Sequence, residues 1–156
     1  MKSIYYYETQ IGKLGIAEED GYICNVCFDE AELDKGFELK ETPAIRQAYI
    51  AIQEYFQKKR KAFDIPLRPR GTEFQKKVWE ELQRIPYGET VSYGHIAKKV
   101  DCPKGARAVG MANNKNPIPI FIPCHRVIGS DGKLVGYAGG LDIKIKLLET
   151  EGYYEK

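Results

Sequence analysis

Residues 63–71 read FDIPLRPRG, and this stretch limits the fold more than any other part of the chain. Pro66 and Pro69 each lack an amide hydrogen and push the residue before them towards extended backbone. Neither a helix nor a central strand passes through such a run. With Gly71 at its end, the stretch is expected to be an extended connector and a domain boundary, separating a domain at 1–68 from one at 69–156. A chain of 156 residues can bury one sizeable core or two small ones, and the connector favours two.

Before the connector the pattern mixes α and β. SIYYYET, GKLGIAEE and YICNVCF are short β-rich runs separated by glycine-containing turns, QIGK and EEDGY, as in a β-meander. The segment 41–61, ETPAIRQAYIAIQEYFQKKRK, reads as an amphipathic helix. Thr42 is its N-cap, Pro43 its first residue, and Ile45, Tyr49, Ile52 and Phe56 its buried stripe. CNVC at 24–27 has the spacing of a metal or redox pair. In a regular strand, however, residues three apart point to opposite faces. There is no second CxxC, and the only histidines are His95 and His125. Two buried strand cysteines and no metal are expected.

After the connector the chain reads as mainly helical. GTEFQKKVWEELQRIPYGE is a helix capped by Thr72, with Phe74, Val78 and Leu82 on one face, stopping at Pro86-Tyr87-Gly88. SYGHIAKKV is a short helix that Ser92 can cap, and CPKGARAVGMANN begins another with Pro103 at its first position. LDIKIKLLETEG closes the chain as a last helix ending at Gly152. The two short helices, joined by a tight Asp-Cys-Pro turn, form a helix-turn-helix pattern. Small residues (Ala106, Gly110 and Ala112) give the second helix a low profile from which Arg107 projects. Such a surface suits close approach to another helix or to a nucleic acid, and composition leaves both open. Residues 91–146 hold nine Lys/Arg and three acidic residues, a surplus of six positive charges, so the remainder carries −4 of the net +2. A basic block of this kind suits a polyanionic partner.

The same block contains FIPCHRVIG, with Cys124 beside His125. A free thiol is mostly protonated at neutral pH, and an imidazole can take its proton and release the nucleophilic thiolate. Adjacent residues on a strand point apart, so the pair converges only if the backbone turns or a water bridges it. Pro123 makes a regular central strand unfavourable there. A third group should orient the imidazole, and Glu151 in LLETEG is the best acidic candidate late in the chain. Taken alone, such a dipeptide more commonly marks a buried cysteine beside an incidental histidine.

NPIPIFIPCHRVIGSDG, followed by VGYAGG and KLLETEG, resembles the O6-alkylguanine-DNA alkyltransferase family (methylated-DNA–protein-cysteine methyltransferases). The similarity runs continuously over about residues 74–152, including PYGETVSYGHIA and ARAVGMANNKNP, and is more diffuse in the N-terminal part. It implies an α+β protein: a small N-terminal α/β roll of ribonuclease-H-like topology that supports a mainly helical C-terminal domain with a winged-helix-like helix-turn-helix. It implies that Cys124 accepts the alkyl group, His125 is its water-linked base and Glu151 orients the histidine. Asn116 would brace the strand near the site, and Tyr93 would help protonate the departing guanine. Arg107 would enter the base stack in place of a flipped nucleotide. Ala106, Gly110, Asn113, Lys104 and Lys115 would complete the DNA-binding face. The backbone around Val127, with Tyr137, Ala138 and Gly139, would form the guanine pocket. Ala138 stands where some members carry a serine that can donate to the lesion oxygen.

The resemblance implies a partner, duplex DNA with alkylated guanine, and neither cofactor nor metal. Some members bind structural zinc in the N-terminal part, where this chain has two cysteines and no histidine. A thiolate that attacks an alkyl carbon forms a thioether, which water cannot hydrolyse as it does a thioester, so one event per molecule is expected. The rivals are a cysteine hydrolase or acyltransferase, a lesion-binding protein without transfer, and a transcriptional regulator. No apolar run approaches the ~20 residues of a membrane span, and MKSIYYYETQ lacks the apolar core of a secretory signal. A monomer of the cytoplasm, or of the nucleus in a cell that has one, is expected.

Overall fold

In the computed structural model the described residues are 2–28, 36–129, 132, 134, 137 and 139–153. The chain forms two compact units, Met1–Arg70 and Gly71–Lys156, and its architecture is mixed α+β.

The first unit is built on β1 (Lys2–Thr9), β2 (Gly12–Glu19) and β3 (Tyr22–Cys27), with a short β4 (Glu38–Leu39). The sheet order is β3-β2-β1-β4. β1 and β2 pair antiparallel without a break from Lys2 opposite Glu19 to Thr9 opposite Gly12. Their tight turn needs Gly12 at φ 98, a left-handed conformation that costs glycine nothing. Helix α1 (Pro43–Phe56) packs across the first three strands. Leu14 lies opposite Tyr7, and the Tyr7 ring stacks on Tyr49 of α1 with centroids 3.8 Å apart. That face of the sheet therefore meets the helix. Thr42 accepts a hydrogen bond from Ile45 N, and Pro43 follows it. The helix stops short of residue 61, because Lys58 takes a left-handed φ of 62. Its stripe is also rotated from the expected one: Tyr55 is buried and Phe56 only partly so.

The two strand cysteines do not point apart. Asn25 pairs with Ala17 and Ile23 with Glu18, so Cys24 is an extra, bulged residue between them. A bulge adds one residue and resets the alternation. Cys24 and Cys27 consequently share one buried cluster with Ile4 and Ala17.

The second unit contains α2 (Glu73–Leu82), β5 (Val91–Ser92), α3 (Tyr93–Lys99), α4 (Ala106–Asn114), a 3-10 turn at Cys124–Arg126, β6 (Val127–Ile128) and α5 (Leu141–Thr150). Thr72 and Gln75 cap α2 reciprocally, side chain to backbone in both directions. Helices α2, α3 and α4 pack on one another. Trp79, which the sequence reading passed over, is buried on α2 and donates its indole N–H to Ala112 O of α4 at 2.9 Å. Ser92 caps α3 by accepting from His95 N at 3.0 Å. α4 begins three residues later than Pro103 suggested. Asp101 takes φ 58, Gly105 N bonds Cys102 O at 2.7 Å, and a Cβ on Gly105 would overlap the Cys102 sulfur. The tight turn uses up Pro103 and Lys104 and leaves Gly105 as the N-cap. β5 and β6 run parallel, with Val91 opposite Val127 and Ser92 opposite Ile128. This pairing sets the start of α3 beside the turn that carries Cys124.

Candidate active site

Cys124 lies on a loop fixed by its own hydrogen bonds. Asn116 Oδ1 accepts from Ile118 N at 2.9 Å, and Asn116 Nδ2 donates to Ile122 O at 2.9 Å. Ile122 N closes back onto Ile118 O at 2.9 Å. Ile120, at the tip, is buried with φ 77, a left-handed conformation that a β-branched residue adopts only under strain. Pro123, at φ −79 and ψ 64, forms an inverse γ-turn in which Cys124 N bonds Ile122 O at 2.7 Å. The chain then enters the 3-10 turn, closed by Arg126 N to Pro123 O at 3.0 Å. The backbone thus turns between two neighbours that a strand would have pointed apart.

His125 and Glu151 are both fully enclosed, and His125 Nε2 lies 2.6 Å from Glu151 Oε2. The carboxylate is further held by Arg126, through Nε to Oε1 at 2.8 Å and Nη2 to Oε2 at 3.0 Å. Gly88 N donates to Oε1 at 3.0 Å. Burial alone would raise the Glu151 pKa, but His125 and Arg126 override it and hold the carboxyl well below the usual carboxylate range. An ionised carboxylate only accepts, so Nε2 carries the imidazole hydrogen and Nδ1 presents a lone pair. That Nδ1 is buried and has no hydrogen-bond partner among the described residues. Burial is also the main reason that His125 titrates below its ordinary value; Glu151 opposes it, and Arg126 and Lys144 reinforce it.

Cys124 is 2% exposed, and burial pushes its thiol up to about 11. Asn116, Lys144, the backbone and Tyr137 act in the opposite direction and favour the thiolate. Lys144 is 0% exposed and donates to Val127 O at 2.7 Å. Burial lowers its ammonium to about 8, opposed by Cys124. Tyr93 is half-buried, and its hydroxyl is raised by burial and by the charge that Cys124 can carry. The sulfur is therefore surrounded by donors and one buried cation, a setting in which negative charge on sulfur is offset as it forms.

Of the residues named from sequence, Cys124, His125, Glu151, Asn116, Tyr93, Val127 and Tyr137 gather in this one region of the second unit. Gly139 is partly buried, and Ala138 falls outside the described residues. Lys104, Ala106, Arg107 and Lys115 are exposed on or beside α4. Gly110 is partly buried, and a Cβ there would stand 3.8 Å from the Tyr93 ring. Asn113 departs from expectation. It was placed on the DNA-binding face, yet it is 2% exposed and its Nδ2 donates to Cys124 O at 3.3 Å. Its position on α4, on the same side as buried Val109 and Ala112, turns it inward. Sequence reading also passed over Arg126 and Lys144. Lys144 left a signal: it shares a helical stripe with Leu147, Leu148 and Glu151, all buried, and a lysine in a core position marks a site.

Comparison with known proteins bears on the whole chain. The pattern of the 6-O-methylguanine DNA methyltransferase DNA binding domain matches residues 73–153, and that of the 6-O-methylguanine DNA methyltransferase ribonuclease-like domain matches residues 4–69. A methylated-DNA–protein-cysteine methyltransferase of Methanosarcina acetivorans is 47% identical over 156 residues, covering 96% of this chain and 99% of that protein. The constitutive methylated-DNA–protein-cysteine methyltransferase of Bacillus subtilis is 49% identical over 158 residues, covering 96% of each. Among solved structures, Mycobacterium tuberculosis OGT in complex with DNA matches with a TM-score of 0.90 at 42% identity, over 96% of this chain and 92% of that one. Both units take part in these matches, and the chain belongs to the 6-O-methylguanine DNA methyltransferase family.

Proposed function

We propose that the protein repairs DNA by moving an alkyl group from O6 of guanine in a duplex to Cys124, once per molecule. The observation that carries this reading is an enclosed thiol followed in sequence by a buried imidazole whose Nε2 is held by Glu151 at 2.6 Å. A base inside the stack cannot reach such a sulfur. The lesion nucleotide has to leave the duplex, at a cost of a few kcal/mol, and exposed Arg107 fills the gap it leaves. Exposed Lys104 and Lys115 supply phosphate contacts, and Ala106 lets the helix come close. The minor groove is ~6 Å wide and poor in sequence information, which suits repair in any context.

With the base in a pocket at Val127, Tyr137 and Gly139, the thiol proton passes to His125 Nδ1, directly or through one water. The sulfur attacks the alkyl carbon, the carbon–oxygen bond breaks and a thioether forms. Tyr93 delivers a proton to the departing guanine, and the proton on His125 restores it. Lys144, Tyr137 and Asn116 offset charge on the sulfur while it attacks. The first unit supports this domain, and the protein acts in the cytoplasm, or in the nucleus of a cell that has one. No helix among the described residues is long and apolar enough to cross a membrane.

The test is a titration against excess O6-methylguanine duplex. One methyl group removed per protein molecule, and then no further reaction, is expected. Continued removal by a Cys124-dependent activity would contradict the reading.

A further inference from the structure

Arg126 occupies an unusual position for a buried cation. It follows His125 in sequence, grips both oxygens of the carboxylate that orients that histidine, and anchors its remaining nitrogen on Ile85 O at 2.7 Å. Glu151 Oε2 thus serves two donors at once, the imidazole and the guanidinium. The charged groups acting on His125 are Glu151 and Lys144 on the α5 side and Arg126 beside it; Cys124 precedes it in sequence. In a buried histidine–carboxylate pair without a further cation, the negative charge favours the imidazolium. Here the carboxylate is already balanced by a charge fixed at every working pH.

We propose that Arg126 is a positioning residue of the transfer reaction: by neutralising Glu151 it keeps His125 uncharged, with hydrogen on Nε2 and the Nδ1 lone pair ready to take the Cys124 proton. The assignment rests on the reading that His125 accepts that proton. It gives Glu151 two separate tasks, orientation through the hydrogen bond and no net attraction for a second imidazole proton. A histidine that is already charged cannot act as the base, so loss of Arg126 should poison the site from the acid side. The burial of His125 pulls in the same direction as Arg126, and Glu151 in the opposite one.

The experiment measures single-turnover methyl transfer from an O6-methylguanine duplex between pH 5 and 9 for wild type, Arg126→Lys, Arg126→Met and the double variant Arg126→Met/Glu151→Gln. With Arg126→Met, the pH below which transfer fails should rise by about one to three units. Arg126→Lys, which keeps the charge, should move it less. The double variant removes both charges, a change that buried ion pairs commonly tolerate, and should bring the acid limb back towards wild type. A merely structural role for Arg126 makes the double variant at least as impaired as the single one, and that result overturns the proposal. If Arg126→Met does not fold, nitrogen NMR of the wild-type imidazole decides: a neutral His125 with hydrogen on Nε2 at pH 7 is expected, and an imidazolium overturns the assignment. Failure of the underlying reading looks different, since His125→Ala would then transfer methyl as fast as wild type.

Discussion

Asn113 Nδ2 donates to the carbonyl oxygen of Cys124 at 3.3 Å, so the helix that carries Arg107 also holds the backbone of the reactive residue. Together with the Cys124 N to Ile122 O bond at 2.7 Å, it fixes both backbone groups of Cys124. Asn113→Ala removes one of two donors to the Cys124 carbonyl, which keeps the bond from Val127 N, a loss of about 0.5–1.5 kcal/mol readable by urea unfolding. It should also slow methyl transfer without weakening affinity for undamaged duplex, because Asn113 is 2% exposed. A parallel loss of duplex affinity would return Asn113 to the DNA surface.

Ile120 carries a left-handed backbone at φ 77 in a buried position, whereas Ile118 and Ile122 on either side are buried and absent from the positive-φ residues. A glycine at any of the three loses a similar side chain, but only at 120 does it also relieve strain of about 1–2 kcal/mol. Ile120→Gly should therefore destabilise the protein less than Ile118→Gly or Ile122→Gly by about that amount. Equal losses at all three positions would mean that the loop stores no strain there.

Glu151 gives the protein a specific acid sensitivity. Its folded pKa is depressed, because His125 and Arg126 outweigh the opposing effect of burial. Its contribution to stability is therefore complete above the unfolded carboxyl value, about 4.3, and is lost as pH falls below it. From about pH 5 to 3 the unfolding free energy of wild type should fall more steeply than that of Glu151→Gln. Parallel slopes would show that another group dominates.

The exposed cations of the second unit should read duplex charge rather than sequence. Lys104→Ala and Lys115→Ala should each reduce affinity to a similar extent on different sequences and lower the salt slope by about one. Arg107→Ala should impair transfer from duplex more than transfer from the free modified base, since only the duplex has a gap to fill. Equal impairment on both substrates would contradict a role in flipping.

Local chemistry was legible in the sequence; of the distant partners, Glu151 was named for His125, 26 positions away, and the others were not. The caps at Thr42, Thr72 and Ser92 bind backbone three residues away, so a short window contains the whole interaction. The bulge at Cys24 and the late start of α4 depend on a partner strand and on a sulfur packed against Gly105. The Cys-His pair drew notice because its members are adjacent. Arg126 did not, because its carboxylate lies 25 positions away and its carbonyl 41. Asn113 was misplaced for a related reason: small neighbours made α4 read as one uniform surface, although Val109, Ala112 and Asn113 face inward.

The central claim is that Cys124 is itself the acceptor and is spent in one event. Its most direct test is the mass of the intact protein, with peptide mapping, after incubation with O6-methylguanine duplex. The account requires a gain of one methyl group, located on Cys124 and absent in Cys124→Ala. An unchanged mass while the DNA loses its methyl group, or a methyl on another residue, would contradict it.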